Sequence, residues 1–168
     1  IKQSEYNWIT PKIIEQCREC LENAIGQECN ELGAEVFTEE QIIHHSFEDQ
    51  HANIDRVLSK FFVNTPLANS YFRFTAVVDL ITPRTLWEIK CTTKITIDHQ
   101  LQVLLYSWLW QTMGREPREF RILNIKTGEI WMLDASLDEL TEIVVVLLKG
   151  KYLKPRDKSD EEFMTDIA

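Results

Sequence analysis

The stretch YFRFTAVVDLITPRTLWEIKC, Tyr71 to Cys91, decides the reading of this chain. Tyr71 to Ile81 is rich in aromatic and β-branched residues and lacks Gly and Pro, which predicts a strand. Thr82-Pro83-Arg84 then predicts a tight turn, and Thr85 to Cys91 a returning strand. Within the second strand, Glu88 and Lys90 are two apart and project from one face, while Trp87, Ile89 and Cys91 project from the other. Asp79 is the only charged residue between Arg73 and Arg84 and stands in an otherwise apolar run.

A carboxylate in such surroundings must be paired or bound to a metal, because burying an isolated charge is costly. Two carboxylates converging from adjacent strands repel, and a divalent cation relieves the repulsion. Mg²⁺ or Mn²⁺ suits them, since Mg²⁺ prefers oxygen ligands and keeps waters, one of which can attack a phosphorus. Lys90 is placed to orient that water or to stabilise the transition state. The competing reading of the same three residues is an ordinary buried ion pair.

Outward from this stretch, Asp98 is expected to cap a helix running to Met113 and ending at Gly114, with Gln102 and Tyr106 on one face at i, i+4 and His99 one turn earlier. Upstream, Thr10 and Pro11 open a helix whose apolar positions run from Ile13 to Ile25, with Gly26 as its stop. From Thr38 to Phe62 the pattern fits a helix only if it breaks near Ser46 to His51. Downstream, Phe120 to Ile125 and Glu129 to Leu133 read as strands about the Lys126-Thr127-Gly128 turn, and Ser136 opens a helix through Leu148. The fold class is α/β, with a central mixed sheet flanked by helices. Residues 1–150 are expected to form one domain, and 151–168 a charged, mobile tail.

The three motifs together resemble the RecB-like branch of the PD-(D/E)XK nuclease superfamily. Val77-Val78-Asp79, then Glu88-Ile89-Lys90, then Gln102 to Tyr106 match that branch in order and spacing, and the resemblance covers Phe72 to about Leu133. It is also similar to nuclease domains attached to helicases or encoded by large DNA viruses. The resemblance implies a restriction-endonuclease-like core and a metal-dependent deoxyribonuclease. It implies that Asp79, Glu88 and the backbone carbonyl of Ile89 hold Mg²⁺ or Mn²⁺, and that Lys90 serves the water. Gln102 and Tyr106 would position the strand or the active-site side chains, and Thr92, Thr93 and Lys94 would contact phosphates. The implied partner is DNA, as single strands or duplex ends, with a fused or associated helicase in a replication, repair or recombination protein. The alternative is a nuclease-like module that binds nucleic acid or a partner without cutting. The family's upstream acidic or His residue is open among Glu35, His44, His45 and Glu48, since Gly33-Ala-Glu-Val-Phe37 replaces the usual Gly-x3-His.

Composition sets the frame. The net charge of -9 runs against a nucleic-acid partner, but residues 1–81 carry -7, 82–126 carry +3 and 127–168 carry -5, so the motif-bearing middle is basic. No apolar run approaches the roughly 20 residues that cross a bilayer, so no membrane partner is expected. The start at Ile1 without a leader pattern reads as a piece of a larger protein. Four cysteines, Cys17, Cys20, Cys29 and Cys91, are too few and too uneven for a disulfide scaffold, which points to a reducing intracellular compartment, cytoplasm or nucleus. Some family members hold an iron–sulfur cluster through four cysteines. Cys17 and Cys20 fall on the apolar face of a helix, so packing is the expected role. Trp108, Trp110 and Tyr71 are read as core rather than as base-stacking residues.

Overall fold

The computed structural model describes residues 8–31, 45–48, 52–70 and 72–153. In chain order the elements are α1 (Pro11–Glu31), β1 (His45–Glu48), α2 (Ala52–Phe62), β2 (Thr75–Val78), β3 (Leu80–Ile81) and β4 (Thr85–Lys90). They continue with α3 (Ile97–Thr112), β5 (Glu119–Asn124), β6 (Glu129–Met132) and α4 (Leu137–Tyr152).

A mixed sheet of four strands, in the order β3-β4-β5-β6, forms the centre, with β4 and β5 parallel and the outer pairings antiparallel. Parallel neighbours need a crossover, and α3 supplies it. The strand period of two divides the side chains of β4 between two cores. Leu86 joins Val103, Leu104, Trp108, Phe120 and Ile122 under α3. Trp87 joins Ile25, Leu80 and Leu123 under α1. α4 packs on α3, and α2 packs on both. The molecule is therefore α/β with helices on both faces of a mixed sheet, and Glu88 and Lys90 share the α3 face.

The expected hairpin forms only at its turn end. Leu80 and Ile81 pair with Trp87 and Leu86, whereas Thr75–Val78 turns away to pair with β1. The ladder stops at Asp79 because its carboxylate, not a backbone carbonyl, takes the Ile89 N–H. Between Thr38 and Phe62, the described residues form strand β1 and helix α2 rather than one interrupted helix.

Three helix ends differ from expectation. α1 runs through Gly26 to Glu31, because Ile25 is buried in the core and Glu28 takes bonds from Thr82 Oγ1, Arg84 N and Trp87 Nε1 at the β3–β4 turn. This docking outweighs the roughly 1 kcal/mol that a helical Gly costs. α3 is capped by Thr96, whose N–H donates to His99 Nδ1 at 3.1 Å, and Asp98 lies in the first turn. α4 begins as expected at Ser136, which exchanges bonds with Glu139, but extends past Leu148 to Tyr152, whose ring packs on Phe72. The tail expected from 151 thus loses its first two residues to α4, and its remainder from 154 lies outside the described residues.

Trp108 and Trp110 are buried, as expected, with Trp108 Nε1 donating to Thr141 Oγ1. Tyr71 lies outside the described residues.

Candidate active site

β4 ends with Glu88 and Lys90 facing α3, and the interruption between β2 and β3 at Asp79 lies beside them. Asp79 Oδ2 accepts the Ile89 N–H at 2.8 Å, which holds its carboxyl against the motif strand. Glu88 is 3% exposed; its Oε1 accepts from Lys90 Nζ at 2.5 Å, and its Oε2 is buried with no hydrogen-bond partner. Lys90 Nζ also donates to Gln102 Oε1 at 2.9 Å, and Gln102 Nε2 donates to Tyr106 OH at 2.6 Å. The two motifs, from a strand and from the following helix, are one continuous polar network.

Electrostatics follow from that packing. Burial, with the Asp79 charge adding to it, pushes the Glu88 carboxyl above the usual carboxylate range against the pull of Lys90 and Gln102. Burial likewise pushes the Tyr106 phenol up, with the charges of Glu88 and Asp79 acting in the same sense and the Gln102 bond opposing them. Both shifts arise chiefly from burial, with the neighbouring carboxylate charges adding to it, and a cation at the site would oppose them.

A pH dependence follows. A carboxyl whose folded value is raised contributes stability that is complete below its unfolded value and is lost as pH rises through the folded value. Without added metal, the urea midpoint is expected to fall across the window just above the ordinary carboxylate range, and Glu88→Gln is expected to flatten that fall. Parallel midpoint profiles for the two proteins would show that Glu88 is not the titrating group.

Two of the four upstream candidates, Glu35 and His44, lie outside the described residues. β1 places His45 opposite Val78, next to Asp79, and Glu48 opposite Thr75. Their side chains are not among those described. His99, one turn before Gln102, commits Nδ1 to capping α3. Among the described residues, no group of three or more His, Cys, Asp or Glu side chains is placed to hold a metal ion. Among the described side chains, the carboxylates offered at the site are Asp79 and Glu88.

Beyond Lys90 the chain bends through Thr92, Thr93 and Lys94, with Thr93 and Lys94 exposed. This loop is set by Asn124, which the sequence reading did not single out. Asn124 is fully buried at the end of β5, opposite Lys90; its Oδ1 accepts from Thr92 N and Lys126 N, and its Nδ2 donates to Thr92 O. The available signal was an Asn closing the apolar strand Phe120 to Leu123, where a polar side chain requires partners. Asn124→Ala is expected to cost about 2 to 3 kcal/mol, since it strands buried backbone groups on both sides. Urea unfolding checks the cost, and a loss below about 0.5 kcal/mol would contradict the clamp.

Comparison of the chain with protein-family models, with curated proteins and with solved structures gave no match.

Proposed function

We propose that the chain is a metal-dependent DNA nuclease with a restriction-endonuclease-like core, hydrolysing phosphodiester bonds on DNA ends or single strands as part of a larger replication, repair or recombination protein. The observation that carries this reading is Glu88, a buried carboxylate with one oxygen on Lys90 and the other without a partner, in the field of Asp79. A structural ion pair seldom leaves a buried carboxylate oxygen unsatisfied, because the orphaned oxygen costs desolvation without return. An oxygen-seeking divalent cation would satisfy that oxygen, with Asp79, Glu88 and the backbone carbonyl of Ile89 as its protein ligands.

When bound, Mg²⁺ or Mn²⁺ would supply charge neutralisation at the scissile phosphate and lower the pKa of a water. The chain's own residues divide the remaining work. Glu88 and Gln102 hold the Lys90 ammonium from two sides, so it can donate to the attacking water or to the developing oxyanion without searching rotamers. Tyr106 fixes the Gln102 amide, and Gln102 in turn fixes Lys90. Thr93 and Lys94, exposed on a loop held by Asn124, are the candidate phosphate contacts, with Thr92 pinned behind them.

The test is incubation of end-labelled single-stranded and duplex DNA with the chain in Mg²⁺, Mn²⁺ or EDTA. Cleavage is expected in either metal and not in EDTA. Intact substrates in both metals, or equal cleavage in EDTA, would overturn the assignment.

A further inference from the structure

Behind the site, on the α1 face of the sheet, α1 lies along the β5–β6 turn and brings its cysteines to the end of β4. Gln16 Nε2 donates to the Lys126 carbonyl at 3.1 Å, and a Cβ built on Gly128 would stand 3.4 Å from Cys20 Sγ. Gly128 has φ 77°, so the turn presents only backbone to the helix at that point. Cys17 lies between these two anchors on α1. β4 is tied to the same turn through Lys90 O, which accepts from Ile125 N at 2.8 Å, and its next residue is Cys91. The Cys17 thiol lies there within interaction distance of Cys91. Both are free; Cys91 is exposed and Cys17 half-buried.

We propose that Cys17 and Cys91 form a reversible disulfide, a redox modification site that staples α1 to the end of β4 immediately beyond Lys90. This is independent of what the neighbouring carboxylates do. Peroxide is the oxidant considered. The exposed Cys91 sulfur attacks one peroxide oxygen, the O–O bond breaks, and the departing hydroxide takes up the thiol proton as water, leaving Cys91 as a sulfenic acid. The Cys17 sulfur then attacks the Cys91 sulfur, the S–O bond breaks and the S–S bond forms, and the hydroxide leaves as water with the Cys17 proton. The two thiols lose two electrons, and one peroxide becomes two waters.

The order of events follows from exposure. Burial, followed by the neighbouring Cys91 and Cys20, holds the Cys17 thiol above its ordinary range against the Lys126 ammonium. Cys17 is therefore the resolving partner and not the first to be oxidised. Cys20, against Gly128, lies on the same helix as Cys17, so a Cys17–Cys20 bond would join no two elements.

The experiment oxidises the whole chain under native conditions with stoichiometric hydrogen peroxide, blocks remaining thiols and maps linked peptides by mass spectrometry, in wild type, Cys20→Ser and Cys91→Ser. A Cys17–Cys91 linked peptide, reversed by dithiothreitol, is expected in wild type and Cys20→Ser and absent in Cys91→Ser. Because the bond closes the long loop from 17 to 91, the oxidised Cys20→Ser protein is expected to melt on the order of 5 to 10 °C above its reduced form. Cys20→Ser retains both proposed partners, so a folding defect in the other variant does not affect this measurement. A linkage dominated by Cys20 or Cys29, oxidation of Cys91 to sulfinic acid without a link, or a linked form that melts no higher than the reduced one would overturn the proposal.

Discussion

Lys90→Ala is expected to lower metal-dependent cleavage about 10²- to 10³-fold, the range seen when one transition-state donor is removed. It is also expected to destabilise the metal-free chain by about 3 kcal/mol. The second effect arises because Glu88 Oε1 and Gln102 Oε1 both lose their donor while Glu88 stays buried. Removing one partner of a buried pair costs roughly 3 to 5 kcal/mol, and the upward push of burial on the Glu88 carboxyl, which eases proton uptake once Lys90 is gone, places the loss at the low end. The measurements are initial cleavage rates in Mg²⁺ and urea unfolding at neutral pH. Metal binding gives the distinguishing readout. Removing the Lys90 charge beside two carboxylates should leave divalent binding intact or tighter, measured by calorimetry, while cleavage falls. A variant that cleaves within tenfold of wild type would remove Lys90 from the chemistry, and one that loses metal binding with its fold would favour a purely structural ion pair.

Trp87→Ala is expected to cost about 4 kcal/mol, the middle of the range for a large aromatic core side chain. Trp87 has no exposed surface and packs with Ile25, Leu80 and Leu123; the Arg121 guanidinium lies 5.4 Å from its ring, and Nε1 donates to Glu28 Oε2. It is the residue through which β4 holds α1. Its loss should raise amide exchange in α1 more than in α3, since α3 belongs to the other core. Trp131→Ala provides the control. Trp131 is 43% exposed on the edge strand β6 and should cost less than about 1 kcal/mol. Denaturant unfolding of both variants, with exchange measured on the first, decides the matter. Equal costs at Trp87 and Trp131 would contradict the two-core account.

The substitutions differ in how visible their effects were beforehand. That Glu88 and Lys90 would share a face follows from the pleat alone, whatever the strand packs against. That Gln102 and Tyr106 would be neighbours follows from the helical repeat, and they bond directly. Ser136 as a cap and the turns at Thr82 to Arg84 and Lys126 to Gly128 are likewise local, set by side-chain bonding and backbone sterics within a few residues. Each of these was legible in the sequence.

What spans distance in the chain was not legible. Periodicity predicted a long strand to Ile81, but only the pairing of β2 with β1 and the capture of the Ile89 amide by Asp79 end it after Val78. Gly26 is a stop signal by propensity, yet α1 continues because Ile25 and Glu28 find partners on residues 54 or more positions away. Asn124, Lys90 and Thr92 are joined only because β5 returns parallel to β4. Cys17 and Cys91 have no visible relation in the sequence until the sheet and α1 bring them near one another. Local sterics determine which way a side chain points, at a cost or gain of a kcal/mol or less per residue. Which remote group it meets is decided by burial of the whole core, a larger and collective term that no window of sequence contains.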